Sequence, residues 1–404
     1  MNLDNSDDEN SATDKLQRTI LHSEQSMLED LRLLVTLETP SMDVQRLNHC
    51  RDWLESWIAR RLGDDIECLR SSNETYGDTI TAYIPSRTEA SSGHSILVVG
   101  HYDTVWPAAT LEDLPFVIDG DKISGPGVFD MKGGIIQAIW AIKALRDNEL
   151  LMPDITLVLN PDEEVGSISS RSVIEEAGAT NDLSIIMEPS ADGAFKTSRR
   201  GAGIFRATFR GVEAHAGVEP DKGASAITAL GEFISYANNL ASQVKGTSIN
   251  VGTVHGGTAT NVLAGEAIAG LDIRIADIEE KARIENGFLN FVPSDSRVIY
   301  NIDCAWNRPP MEKTTAIASA FERVRKVAAS MNLNVRDVHS GGFSDGNLIA
   351  AMGKPVIDGF GAVGAGAHHR TEYCLKSGMF ERTILLARFI LESTSGSDST
   401  RYRA

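Results

Sequence analysis

The sequence predicts an α/β protein: a mostly parallel sheet flanked by helices, interrupted by an inserted α+β domain. Three observations predict it. Short continuous apolar runs at Ile96–Val99, Ile155–Leu159 and Leu183–Met187 read as strands buried on both faces. Stretches of helical period lie between them, and that alternation builds a parallel sheet. From about residue 204 the order changes to β-α-β-β-α-β, the split βαβ arrangement.

The elements follow in order. Residues 1–14 hold five acids and no base, so residues 1–24 read as a disordered acidic tail. Met27, Leu28, Leu31 and Leu34 recur at helical spacing, as do Val44, Leu47, Trp53, Leu54, Trp57 and Ile58. The Ile96–Val99 strand ends in Gly100, and a helix from Lys132 to Leu145 opens on Gly133 and Gly134. Phe205–Phe209 alternates as a half-exposed strand. A helix (Ala224–Leu240), strands near Thr247–Val254 and Ala267–Ile275, a helix near Ile278–Phe291 and a strand at Val298–Cys304 follow. A helix at Thr314–Met331 and strands at Asn334–Val338 and Pro355–Asp358 resume the first pattern. The main domain is therefore expected over 25–203 and 313–392, with the insert over 204–312. Residues 393–404, rich in serine, read as a second mobile tail.

A chain of 404 residues with 42% hydrophobic and 23% charged residues is globular, with room for two domains. The net charge of −18 argues against a nucleic-acid or anionic membrane partner. No run of about 18 apolar residues predicts a membrane span. The N-terminus lacks the basic start and apolar core of a secretory signal. Four scattered cysteines without CxxC spacing suit a reducing cytoplasm and give no thiolate metal site. A dinucleotide loop is discounted, because Asp130 stands where GxGxxG needs its third glycine.

Four segments are read as sharing one design, a buried strand that stops at a polar cluster. Ligands in open parallel sheets lie beyond strand carboxyl ends. His101 and Asp103 are two apart, so in extended chain they face one way. A metal-binding imidazole usually has its orientation fixed by a carboxylate, although alone the pair reads equally as a core histidine and a capping aspartate. Asp130, in GlyProGlyValPheAspMetLysGlyGly, reads alone as a helix N-cap. Asp162, Glu163 and Glu164 follow an apolar strand directly. Adjacent carboxylates repel unless cations neutralise them, a solvated charge run being the alternative. Glu188 closes a strand before Pro189 and alone reads as a surface acid. Downstream, GlyAlaHisHisArgThrGluTyr adds His368 and His369. Together, two histidines and three carboxylates make a mixed nitrogen and oxygen set suited to Zn²⁺ rather than Ca²⁺ or Mg²⁺. Such a set serves two metals if one carboxylate bridges. A two-metal site lowers the pKa of bound water from about 15.7 towards about 7. A non-ligating carboxylate beside that water can move its proton, and the Glu163–Glu164 pair offers one acid for each task.

These motifs, in order from about residue 25 to 392, closely resemble those of the dinuclear zinc exopeptidases and deacylases. That family includes carboxypeptidase G (glutamate carboxypeptidase), acetylornithine deacetylase, succinyl-diaminopimelate desuccinylase and aminoacylase. The resemblance implies two Zn²⁺ per subunit, with Co²⁺ or Mn²⁺ as substitutes. His101 and Glu188 would hold one ion, Glu164 and His368 the other, and Asp130 would bridge them, with a cis peptide after it. Glu163 would be general base on the bridging water and then acid to the leaving amine, and Asp103 would orient His101. His368 is preferred over His369 because it stands four residues before Glu372-Tyr373. The insert would be a lid carrying the contact of a homodimer. His215, in GlyValGluAlaHisAlaGly, would stabilise the oxyanion, a solvated turn histidine being the alternative. Asn261 would contact substrate, and Gly342 of the Gly341–Asp345 loop would line the pocket. Arg274 and Arg308 would grip a carboxylate through the planar fork, with surface salt bridging as the rival.

In this family carboxypeptidases and deacylases tend to carry Glu at the Glu188 position. The expected function is hydrolysis of the amide to a C-terminal amino acid with a free carboxylate, glutamate-carboxypeptidase-like, in the cytoplasm. An N-acyl amino acid deacylase is the alternative, and a non-catalytic binding protein on the same scaffold the remote one. The partner is a small peptide or N-acyl amino acid, with no nucleic acid and no membrane.

Overall fold

The structure, a computed structural model, describes residues 5–86 and 94–394. It divides into two compact units, one of Met1–Thr197, Lys313–His339 and Ser344–Ala404, the other of Ser198–Glu312 and Ser340–Phe343.

The first unit is organised on an eight-stranded sheet. Its order is Cys68–Ser71, Thr79–Ile84, Asp154–Asn160, Ser95–His101, Leu183–Ile186, Val356–Asp358, Phe195–Arg199, Asp337–Ser340. The four central strands, from Asp154–Asn160 to Val356–Asp358, run parallel. Their residues are buried almost without a break, as expected of strands covered on both faces. Register fixes where the polar clusters emerge. His101 pairs with Asn160, and Val99 pairs with Ile186. His101, the Asp162–Glu164 turn and Glu188 therefore all leave the same carboxyl edge.

Helix Gly133–Asp147 packs against the sheet with nearly every residue buried. Its first turn can come this close only because residue 134 is glycine: a Cβ there would lie 2.1 Å from the Met187 carbonyl oxygen. A second, small antiparallel sheet has the order Gly364–Ala365, Tyr373–Leu375, Lys122–Ser124, Val117–Asp119. Ala365 and Ser124 both pair with Tyr373, which holds the 366–372 loop beside the chain leading to Asp130.

The acidic N-terminal tail expected over residues 1–24 is overturned for its described part. Asn5–His22 is a helix, with Leu16 and Ile20 fully buried and Thr19 accepting a bond from Asn148 Nδ2 at 2.9 Å. The acids come first, but Leu16 and Ile20 follow one helical turn apart and anchor the segment. Of the second tail, residues 395–404 lie outside the described residues, and Ser393 is buried with its hydroxyl donating to the Phe389 carbonyl at 2.8 Å. No helix among the described residues is long and apolar enough to cross a membrane.

The second unit is a four-stranded antiparallel sheet of order Ser248–Gly256, Glu266–Ile275, Gly201–Arg210, Ile299–Arg308. Phe205, Ala207 and Phe209 are buried on one face while Ile204, Arg206 and Arg210 are exposed on the other, the period-two pattern of a half-covered sheet. Helices Ala226–Leu240 and Ile278–Leu289 contribute Phe233 and Phe288 to the same core, in ring contact with Phe209 and Phe205. Each helix starts on a side-chain cap: Ser225 accepts from Thr228 N and Asp277 from Glu280 N.

Candidate metal centre

The strand ends set out above bring His101, Asp130, Glu163, Glu164 and Glu188 together, and the 366–372 loop adds His368. His101, Asp130 and Glu164 offer ligand atoms within 4.8 Å of one another, as do His101, Glu163 and Glu188. Asp130 caps no helix. It lies in a π turn, Val128–Lys132, with non-helical backbone angles and a cis peptide to Met131. Its two oxygens face different histidines: Oδ1 lies 3.3 Å from His101 Nε2, and Oδ2 lies 3.4 Å from His368 Nε2. Glu188 Oε1 is 3.6 Å from His101 Nε2, and Glu164 Oε2 is 3.0 Å from His368 Nε2. His369, by contrast, turns to Thr371, with Nδ1 and Oγ1 2.9 Å apart. His368 has φ of 60°, in the left-handed region that few non-glycine residues adopt.

The residues fit a divalent cation on their own chemistry. His101 Nδ1 lies 3.1 Å from the Asp103 carbonyl oxygen, which can only accept, so Nδ1 carries the proton. In the neutral ring Nε2 is then a bare lone pair facing the carboxylates of Asp130 and Glu188. Ligand arms of about 2.1 Å give tetrahedron edges of about 3.4 Å, close to the separations around Asp130. Glu164 Oε1 is buried with no hydrogen-bond partner among the described residues. Without a cation the cluster draws in protons. Burial opposes a charge on His101, yet Asp103, Asp130 and Glu188 raise it well above the ordinary histidine value. His368 is raised to about 11 by its bonds to Asp130 and Glu164. Burial also opposes ionisation of Asp130, but the two histidines hold it below the usual carboxylate range. Glu164 is pushed up to about 7, first by burial and then by the charge of Asp130. A bound cation neutralises the same carboxylates.

Asp103 is fully buried, and its Oδ1 and Oδ2 accept from the backbone N–H groups of Glu163 and Glu164 at 3.2 Å each. It thus joins the His101 strand end to the turn carrying both glutamates. Two residues were given no role from the sequence. Lys196 is buried with Nζ 3.7 Å from Glu188 Oε2. Glu372 is buried and bonded to the backbone before Asp130. The signal for Glu372 was its place four residues after His368; Lys196 had none.

The remaining expected residues lie in the second unit. His215 is exposed, and its Nδ1 accepts from Gly217 N and Val218 N at 3.1 Å each, which leaves the proton on Nε2. Its loop pairs with that of Asn261 through Ala216 N donating to the Asn261 carbonyl at 2.9 Å. Arg274 is half-buried, with its fork already on Asp272 through two bonds of 2.8 Å and its guanidinium 4.9 Å from the Phe343 ring centre. Arg308, expected to grip a carboxylate directly, is 0% exposed and lies under the same ring at 5.5 Å. Burial closes it to direct contact with solvent-borne groups. Gly342 and Phe343 accept through their carbonyls from Arg199 Nη1 at 3.4 and 3.1 Å, so three arginines surround this loop.

A parallel α/β sheet with a histidine and carboxylate cluster at its carboxyl edge is the scaffold of a metal-dependent hydrolase. Residues 97–392 match the Peptidase family M20/M25/M40, and the chain belongs to that family of metallopeptidases and amidohydrolases. Carboxypeptidase G2 of a Pseudomonas species (strain RS-16) is 26% identical over 388 residues, covering 92% of this chain and 90% of its own. A succinyl-diaminopimelate desuccinylase of Gluconobacter oxydans is 27% identical over 304 residues, covering 69% of this chain and 77% of its own. Among solved structures, a tripeptidase from Staphylococcus aureus superposes with a TM-score of 0.79 at 21% identity, covering 92% of this chain and 99% of its own.

Proposed function

We propose that the protein hydrolyses the amide bond to a C-terminal amino acid bearing a free carboxylate, with two divalent cations, zinc first among them. The observation that carries this reading is the placement of the two Asp130 oxygens against two different histidines, at 3.3 and 3.4 Å. His101 and Glu188 would hold one ion, His368 and Glu164 the other, and Asp130 both. Bound there, the ions would supply Lewis acidity to the scissile carbonyl and would lower the pKa of a bound water towards about 7.

This chain's residues do the rest. Glu163, buried beside the cluster, takes the water's proton and returns it to the leaving amine. Asp103 keeps the His101 proton on Nδ1 and the Glu163–Glu164 turn in place. His215, with its proton on Nε2, donates to developing negative charge. Asn261 orients the amide. Arg274 receives the substrate carboxylate by exchanging its bond to Asp272, with Arg308 and the Gly342–Phe343 loop as the platform beneath.

The match to carboxypeptidase G2 over most of both chains supports a glutamate-carboxypeptidase-like activity. The desuccinylase relative supports the second reading, N-acyl amino acid deacylation. The exposed edge strand Ser248–Gly256 supports a homodimer formed through the second unit, and the unpaired thiols of Cys50, Cys68, Cys304 and Cys374 support a cytoplasmic setting. Zinc-loaded protein assayed on folyl-glutamate, unmodified dipeptides and N-acetyl or N-succinyl amino acids tests the substrate class. Cleavage confined to folyl-glutamate and dipeptides favours the first reading, and cleavage confined to N-acyl amino acids favours the second. No turnover on any of them by cation-loaded protein rejects both.

A further inference from the structure

We propose that Glu372 is a positioning residue for the metal centre, one buried carboxylate that fixes three ligand-bearing loops at once. The inference rests on the two-cation reading above. Glu372 is 1% exposed. Its Oε1 accepts from Phe129 N at 3.0 Å and Asp130 N at 3.1 Å, and its Oε2 accepts from Gly127 N at 2.9 Å and Trp106 Nε1 at 2.7 Å. A carboxylate has about four acceptor sites, so all are used.

The donors come from separate parts of the chain. Trp106 ends the segment that starts at His101, residues 127–130 lead into Asp130, and Glu372 itself closes the loop of His368. Each of these segments carries one proposed ligand. The bond to Asp130 N fixes the backbone from which that side chain points one oxygen at each histidine. Gly127, with φ of 74°, turns its N–H into this cradle in a conformation that favours glycine, and a Cβ there would meet Thr104 Cγ2 at 2.7 Å. The small sheet pairs Tyr373 with Ser124, which fixes the chain on either side of these bonds. Asp103 does the corresponding work for His101 and the two glutamates, so two buried carboxylates, neither facing the cations, orient every proposed ligand except Glu188, which lies against Lys196.

Glutamine cannot replace Glu372. Its amide has one acceptor oxygen, and its NH₂ would confront N–H donors. The test uses full-length protein as wild type, Glu372→Gln, Trp106→Phe and Asp30→Asn. Asp30 is a matched control: also buried, and accepting from Trp140 Nε1 at 2.9 Å and from Arg61, in the same unit. Each protein is stripped with a chelator, titrated with Zn²⁺ against a chromophoric chelator, and titrated with Co²⁺ while the visible d–d absorption is read. The expected result is a loss of affinity for at least one ion of ~10–100-fold in Glu372→Gln, the usual scale for a group behind a ligand, with an altered Co²⁺ spectrum. Trp106→Phe, which removes one donor of four, shifts both readouts the same way by less. Asp30→Asn lowers Tm and moves neither readout.

Wild-type affinity and spectrum in folded Glu372→Gln overturn the inference. If that variant does not fold, unchanged binding in Trp106→Phe overturns it instead. An equal shift in Asp30→Asn also overturns it, since general destabilisation would then suffice. Wild-type protein that takes up no cation rejects the two-cation reading itself, and the inference with it, before any variant is measured.

Discussion

His101, Glu163 and Glu188 are each less than 10% exposed, whereas His215 and Asn261 are open to solvent. The first group stands at the ends of parallel strands whose register is fixed by an unbroken core. The second group stands on loops of a half-covered antiparallel sheet. The difference fits the two tasks proposed for them. Groups proposed to hold cations must be kept near one geometry against mutual repulsion, which burial and supporting carboxylates such as Asp103 and Glu372 favour; His368, whose side chain is 53% exposed, is the exception and stands on a loop. Groups that meet a substrate must be accessible before it arrives, so loops on a rigid sheet serve.

The contrast can be broken or sharpened by four measurements, taken from the largest expected effect to the smallest. Glu163→Gln should cut kcat by ~10²–10⁴-fold while metal content by atomic emission and Tm stay at wild-type values; retained activity would remove the general base from the buried group. His215→Ala should lower kcat by ~10²–10³-fold, the scale of one lost oxyanion donor, with little change in KM and none in metal content. Altered metal content there would move His215 into the first group. Arg274→Lys, which replaces a planar fork with a point charge, should raise KM on the order of tenfold with a smaller effect on kcat. An unchanged KM would leave Arg274 as Asp272's partner only.

The fourth measurement concerns stability. Glu280 is held down to about 2 by Arg283, against burial, with Thr247 and Lys245 assisting. A carboxylate depressed in the folded state contributes stability that is complete above its ordinary value of 4.5 and is lost as pH falls through about 2. Glu280→Gln should therefore cost about 1–3 kcal/mol near pH 7, with the gap from wild type narrowing below pH 4.5 and closing near pH 2. A gap that does not vary with pH would show packing rather than charge at that position.

Much of this was legible along the chain. The apolar runs ending at Val99, Leu159 and Met187 announced strands buried on both faces. The polar residues that follow them named the cluster, since strand ends on one edge of a parallel sheet lie close in space. The alternation of Phe205, Ala207 and Phe209 gave the face of the second sheet. Other features left no local trace. The acids before Leu16 masked a helix whose apolar contacts come late in it. Arg274 and Arg308 resembled substrate grips, but only folding engages one with Asp272 and buries the other beneath Phe343. The 366–372 loop was identifiable by its histidines, yet its seat beside Asp130 depends on a small sheet whose strands run to two or three residues, too short for periodicity to reveal.

The sequence by itself determined which groups take part: residue chemistry and strand rhythm are local properties, carried within a few neighbours. Only the tertiary structure decided which arginine stays accessible, and that Glu372 clamps the chain before Asp130. The reason is separation: its bonds to residues 127, 129 and 130 span 245, 243 and 242 positions. A hydrogen bond between groups so far apart leaves no pattern near either one, and it exists only once the sheets have brought donor and acceptor into reach.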